Sequence, residues 1–254
     1  MSISELERAV ASTLRIPLPA AADLVTKAES LYQSRMRVRF SETRLRDRLK
    51  RTNPFLLRIR GVGTVLEWAT VQVRSTLFAS EEEAVGHLLE AIAKAVHPGA
   101  TNPRYPDDFD YEVILGELIH GYQVKMSWDC MPMSSRKNLS NTIRKLRSEY
   151  GQNGQEFIGH FAPCYGKART TTPLGQDYVS LGSKEFWTRV GGGDVNFDCL
   201  VGDTCALICS EFRSQLEHTL LPDLINRLER EAQVFIGNPD GTINYSKLFR
   251  AVNR

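Results

Sequence analysis

Two strand-like runs joined by a short polar break do most to limit what this chain can fold into. Residues 106–125 read Pro-Asp-Asp-Phe-Asp-Tyr-Glu-Val-Ile-Leu, then Gly-Glu-Leu-Ile-His, then Gly-Tyr-Gln-Val-Lys. Aromatic and β-branched residues dominate the first run and recur in the second, and Gly116-Glu117 offers a turn between them. The pattern predicts a hairpin of strands over about 109–115 and 119–127. Side chains alternate along a strand, so Gln123 and Lys125 fall on one face and Tyr122, Val124 and Met126 on the other. Asp110, Glu112 and Ile114 share a face of the first strand, and pairing brings Asp110 towards Gln123 and Lys125.

The remaining periodicity is mostly helical. Ile3, Leu6, Val10 and Leu14 make a helical stripe that Pro17 and Pro19 stop. A second helix is expected over roughly 20–36, and a third, basic one after Ser41, ended by Thr52-Asn53-Pro54. Residues 64–79 read as helix, and Ser80 with Glu83 has the spacing of a capping box opening a further helix that carries Glu90 beside an apolar stripe. After a loop over 97–108 and the hairpin, Asn138 to Tyr150 reads as an amphipathic helix. Strands are expected at 157–165 and near 178–181. Helix follows over 184–190, over 196–234 and around 245–252. The order is helices, a small sheet with an embedded helix, then helices again. It predicts an α/β core with a helical part built from both chain ends. Three segments are expected: 1–75, helical, for dimerisation and DNA-backbone contacts; 76–204, the catalytic core; and 205–254, C-terminal helices packing with the first segment.

Composition narrows the function classes. The 254 residues are 42% hydrophobic and 24% charged, which is ordinary for a water-soluble protein with a buried core. No apolar run is long enough for a membrane span, and the polar, acidic N-terminus is not a secretory signal, so a cytoplasmic protein is expected. Five cysteines without a Cys-x-x-Cys pair argue against a zinc site or a disulfide framework and for reduced, mostly buried thiols. The net charge of +2 is small. Basic residues cluster all the same, ten against two acids between Leu31 and Arg60. Arg136, Lys137, Arg144, Lys145 and Arg147 form a second cluster with no acid between them. Such patches attract phosphate without reading sequence, although a solvated helix face explains either one alone. Asp240-Gly-Thr-Ile-Asn lacks the first and last ligands of a calcium loop, and Gly191-Gly-Gly193 lacks the context of a phosphate loop. The five histidines are scattered without zinc spacing, and His120 is expected to be exposed.

An acid entering one strand and a Gln-x-Lys on the next suit metal-dependent phosphodiester hydrolysis. That reaction needs an attacking water, charge neutralisation at phosphate and a proton for the leaving oxygen. Mg²⁺ held by one or two carboxylates serves these needs, and a nearby lysine stabilises the developing charge. The arrangement resembles the PD-(D/E)XK nuclease superfamily, to which most type II restriction endonucleases belong. Glu90, on the helix before the strands, matches an additional site acid of many such nucleases. Gly182-Ser-Lys-Glu-Phe-Trp187, the ending Asn238-Pro-Asp-Gly-Thr-Ile-Asn-Tyr-Ser-Lys-Leu-Phe249 and Asn53-Pro54-Phe55 resemble a restriction-enzyme subfamily that cuts interrupted palindromes with GG and CC flanks.

The resemblance implies a restriction-endonuclease-like core, with a small mixed central sheet flanked by helices. It implies Asp110 as the metal-binding aspartate, Lys125 as the catalytic lysine, Gln123 in the place of the middle acid and the Val124 carbonyl as a further ligand. Mg²⁺ is the expected cofactor, with Mn²⁺ as a substitute. Because Gln123 brings no charge, another acid is needed, Glu90 first and Glu112 second. Asp107 and Asp108, nearer the literal Pro-Asp, remain alternatives to Asp110. Ser135, Arg136, Lys137, Asn138, Asn141 and Arg144 are expected to approach DNA, with Lys167 and Arg169 as a second group. Double-stranded DNA is the expected substrate and a homodimer the expected assembly, because palindromes call for two-fold symmetry. A structure-specific or repair nuclease of the same fold, and a non-cleaving DNA-binding protein on a decayed nuclease fold, are the alternatives.

Overall fold

Helices open the chain: α1 (Ile3–Leu14), α2 (Leu18–Glu29), a π-helical segment over Ser30–Arg35, α3 (Met36–Ser41), α4 (Leu45–Lys50), α5 (Pro54–Ile59) and α6 (Val65–Val96). Then come β1 (Ala100–Thr101), β2 (Tyr111–Leu115), β3 (Leu118–Ser127), α7 (Met133–Gly151), β4 (Glu156–Tyr165) and β5 (Val179–Ser180). The chain closes with α8 (Ser183–Val190), α9 (Phe197–Ile236) and α10 (Tyr245–Val252). This is a computed structural model, and it describes residues 1–253. It contains two compact units, one of residues 1–27 and 85–208, the other of 28–84 and 209–254. The boundaries fall inside α2, α6 and α9. Residues 1–75, expected as one part, are therefore shared between the units.

The first unit is organised by a five-stranded sheet in the order β1-β2-β3-β4-β5, a mixed α/β arrangement. The first three strands pair antiparallel, whereas β3–β4 and β4–β5 are parallel. Leu115 pairs with Leu118, so Gly116-Glu117 is a two-residue hairpin loop. Gly116 has φ +65°, a conformation that glycine adopts without strain at the first position of such a loop. Between β3 and β4 the chain passes through α7, as a parallel pair requires. Gly121 and Gly159 face each other across β3 and β4. A Cβ on Gly121 would sit 2.5 Å from Phe157 Cζ, and one on Gly159 would sit 2.3 Å from Ile143 Cδ1. The two glycines thus open a trough in which Phe109, Phe157 and Ile143 of α7 pack, and Leu139, Leu146 and Phe161 extend this buried cluster.

On the other side of β3, Tyr111 and Tyr122 stack at 4.8 Å, Tyr122 stacks on His160 at 4.7 Å and His160 on His120 at 5.1 Å. His120 Nδ1 lies 2.8 Å from His160 Nε2. His120 is therefore half-buried, contrary to the expectation of exposure, because β4 brings His160 alongside it. α8 docks on β4, where Trp187 Nε1 donates to the Cys164 carbonyl at 2.9 Å.

The second unit is helical. Trp68, fully buried, donates from Nε1 to Thr52 Oγ1 at 3.2 Å. Arg227 of α9 donates to the Phe40 and Thr43 carbonyls at 2.8 and 3.1 Å. The Tyr245 hydroxyl donates to the Val62 carbonyl at 2.6 Å.

Several local expectations are corrected. Ser80 opens no helix: α6 runs through it, and its hydroxyl donates back to the Thr76 carbonyl at 2.8 Å. Ser2 with Glu5 forms a capping box at the start of α1. α4 does end just before Thr52-Asn53-Pro54, at Lys50, and Asn53 also caps α5, with Pro54 as its first residue. α7 begins at Met133, five residues before the expected Asn138. None of the five cysteines is in a disulfide, and of the five only Cys164 is buried. Cys199, Cys205 and Cys209 lie on the sides of α9 that remain at least partly open, and Cys130 lies in the exposed turn after β3.

Candidate active site

The chemistry gathers where β2 begins against β3, within the first unit. Asp110 precedes β2 and donates its N–H to the Tyr122 carbonyl at 2.8 Å. Its Oδ2 accepts the Val124 N–H at 2.6 Å, so the carboxylate extends the ladder beyond the start of β2. Within a strand a residue's N–H and C=O point to the same edge, so the Val124 carbonyl shares the edge that Asp110 occupies. Gln123 lies between these two contacts, and Lys125 is two residues further on. Glu90 reaches the same place from α6, with Oε1 3.9 Å from Lys125 Nζ. Asp110, Gln123, Lys125 and Glu90 are thus brought together. The hairpin register accounts for the first three, and the length of α6 supplies the fourth.

Charge in this cluster is unbalanced. Burial raises the Asp110 carboxyl above its ordinary value. Lys125 pulls it down, while Glu90 pushes it further up. Gln123 Oε1 is buried and has no hydrogen-bond partner, which is unusual for a native acceptor. Two carboxylates, an unsatisfied amide oxygen and a backbone carbonyl are all oxygen donors, the ligand type that Mg²⁺ selects. Among the described residues no group of three His, Cys, Asp or Glu side chains is placed to hold a metal ion. A site here therefore depends on the amide and backbone oxygens beside its two acids, and Mg²⁺ is satisfied by one or two carboxylates. The residues fit such an ion.

The other candidate acids are engaged elsewhere. Glu112 is buried and accepts from the Arg104 N–H and the Tyr150 hydroxyl, each at 3.3 Å. Asp108 accepts from Thr142 Oγ1 at 3.0 Å, and Asp107 is exposed. Sequence reasoning missed His87, whose Nδ1 lies 3.2 Å from Glu90 Oε2. The signal was present, since residues three apart on a helix face each other.

The expected DNA-contacting residues fall into two groups. Ser135, Arg136, Lys137 and Asn138 lie in the first turns of α7, followed by Asn141 and Arg144. Lys137, Asn138 and Asn141 are exposed. Arg136 donates to the Met131 and Trp128 carbonyls at 3.1 and 3.0 Å, so its guanidinium closes the turn before α7. Arg144 is paired with Asp177 at 2.5 Å. Lys167 and Arg169 lie in the loop after β4, which is tied to α8 by Lys167 N–H to Ser183 Oγ at 3.2 Å and by a contact between Thr170 and Glu185. No helix among the described residues is long and apolar enough to cross a membrane.

A mixed sheet flanked by helices, with these residues at one strand end, has the restriction-endonuclease-like fold. The family described as Type II restriction endonuclease EcoO109I matches residues 22–202, well over half of the chain, and the chain belongs to that family. A comparison with curated proteins returned no match. Family membership makes the chain a restriction endonuclease acting on DNA. The matched span includes Glu90, Asp110, Gln123 and Lys125 as well as α7.

Proposed function

We propose that this protein hydrolyses double-stranded DNA at a specific palindromic site in the presence of Mg²⁺, with Asp110, Gln123, Lys125 and Glu90 as its active site. The observation that carries this reading is the Asp110 carboxylate held on the Val124 N–H, with Glu90 3.9 Å from Lys125 and the intervening Gln123 oxygen buried without a hydrogen-bond partner. Asp110, Glu90, Gln123 and the Val124 carbonyl would hold the ion. A bound divalent cation supplies Lewis acidity at the phosphate and lowers the pKa of a coordinated water. Asp110 is oriented by the Val124 N–H, so its second oxygen is free for ligation. Lys125, held near Glu90, offers its ammonium to the charge that grows on the phosphoryl oxygens as water attacks and the P–O bond breaks. His87 fixes the Glu90 carboxylate from the same helix.

The start of α7, through Ser135, Lys137, Asn138 and Asn141, faces the duplex in this reading, with Lys167 and Arg169 on a second approach. The resemblance to enzymes that cut interrupted palindromes with GG and CC flanks gives the target class. Two copies related by two-fold symmetry would cut the two strands, in the cytoplasm.

The test is incubation with phage or plasmid DNA and Mg²⁺, followed by sequencing of the fragment ends. Fixed ends at one palindromic sequence are expected. Lys125→Ala and Asp110→Ala are each expected to lower cleavage by about 10²–10³-fold while leaving the fold intact. Full activity in either variant would remove that residue from the site. Specific binding without cutting in Mg²⁺ or Mn²⁺ would instead favour a DNA-binding protein on a decayed nuclease fold, a reading that Gln123 motivates.

A further inference from the structure

The strongest unassigned chemistry lies in the helical unit, in a recess beside α3 and α4. The cavity is about 250 Å³ and is lined by Arg39, Arg44, Arg48 and Arg51 together with Glu42 and Asp47. Four arginines thus line the recess against two acids. Of the four, Arg39 alone has an ion pair among the described residues, to Glu83 at 3.0 Å, and Glu83 is shared with Arg35. Arg48 is the best anchored, since one of its terminal nitrogens donates to Thr76 Oγ1 at 2.6 Å. Its Nε is buried and has no partner. Burial, then the nearby Arg51 and Arg39, lowers the Arg48 pKa from its usual value, and Asp47 opposes this.

A solvated arginine face would leave every N–H in water. Here one is buried without an acceptor, an arrangement that costs free energy unless something else accepts the bond. Like charges brought together in the same recess add to that cost. A tetrahedral oxyanion relieves both, and the planar guanidinium fork matches phosphate oxygens in pairs.

We infer that this recess is a seat for a phosphate group, bound by Arg48 with Arg44 and Arg51. The phosphate is either a backbone phosphodiester of DNA or free inorganic phosphate. The first source rests on the nuclease reading above, and the second does not.

The test uses the full chain and two variants. Arg44→Ala combined with Arg51→Ala removes two exposed side chains, and Arg48→Gln removes the anchor. In the first arm, melting is followed in potassium phosphate and in potassium chloride at matched pH and ionic strength. In the second, binding of a short duplex lacking any cleavage site is measured in EDTA across a range of salt. The wild type is expected to melt higher in phosphate than in chloride, and the variants to lose that difference. DNA binding is expected to weaken several-fold in the variants, with the log–log salt slope shallower by about 0.9 for each phosphate that the variant no longer neutralises. A change in the melting arm alone assigns the seat to free phosphate, and a change in the duplex arm alone assigns it to the DNA backbone. A double variant that melts like wild type in chloride and matches it in both arms overturns the inference. Cleavage by the wild-type protein is scored separately, so failure of the seat and failure of the nuclease reading are distinguishable.

Discussion

In the proposed site Gln123 takes the place of a second strand carboxylate, and its buried oxygen lacks a hydrogen-bond partner. An amide oxygen ligates a hard cation but contributes no charge, so the proposed site relies on Asp110 and on Glu90 from α6. Gln123→Glu is expected to retain cleavage and to reach half-maximal rate at lower Mg²⁺, because it adds a charged ligand. Gln123→Leu is expected to lower cleavage by about 10²-fold, on the scale seen when one positioned polar group is removed. Titrating Mg²⁺ against cleavage rate for both variants checks the pair, and a rate in Gln123→Leu equal to wild type would make the amide irrelevant. Asp110, Gln123 and Lys125 were legible as a set because strand alternation is local. Glu90 came from the family resemblance, not from spacing. The engagement of Glu112 was not legible, because Arg104 and Tyr150 reach it from outside the strand.

Among the secondary elements, the β3–β4 pair and α7 form a tightly fitted joint. The trough made by Gly121 and Gly159 lets Ile143 and Phe157 close on the sheet. Gly159→Ala is expected to destabilise the protein by about 1–3 kcal/mol, since the added methyl overlaps Ile143 in a closed core. Combining it with Ile143→Ala is expected to cost less than the sum of the two single changes, because the new methyl enters the space that Ile143 leaves. Denaturant unfolding of the four proteins checks this, and strict additivity would show that the overlap is not the cause. The hairpin, α7 as an element, β4 and the C-terminal helices were readable from periodicity. The failures lay at helix ends. Ser80 and Glu83 have the letters of a cap, but residues 65–79 are already helical, so the cap has no end to close. Asn53-Pro54 marks a stop and a start together, because α4 ends at Lys50 and the same residues then cap and open α5.

Over the whole molecule, titration of buried groups should shape stability. Burial holds His160 down to about 3 and His97 down to about 4. Both histidines regain an ordinary value near 6.5 on unfolding. The unfolded chain then binds more protons than the folded one between those limits, so stability rises with pH across that window. Their contribution is complete above about pH 6.5 and is lost as pH falls towards 4 and then 3. Melting temperature is expected to be flat near neutrality and to decline below about pH 6.5, and His160→Phe is expected to make that decline shallower. An identical acid limb in the variant would place the loss in other groups. The two units also alternate along the chain, so neither is continuous in sequence. Synthesis from the N-terminus therefore completes them in a fixed order. The sheet unit has all its residues once Ile208 has left the ribosome, whereas the helical unit must wait for the segment after Cys209. A nascent chain passes through a stage in which the residues of the proposed site can assemble while residues 28–84 still lack their partners. During that interval the apolar faces of 28–84 are exposed to chaperones and proteases, and the speed of finishing the last helices becomes a determinant of yield.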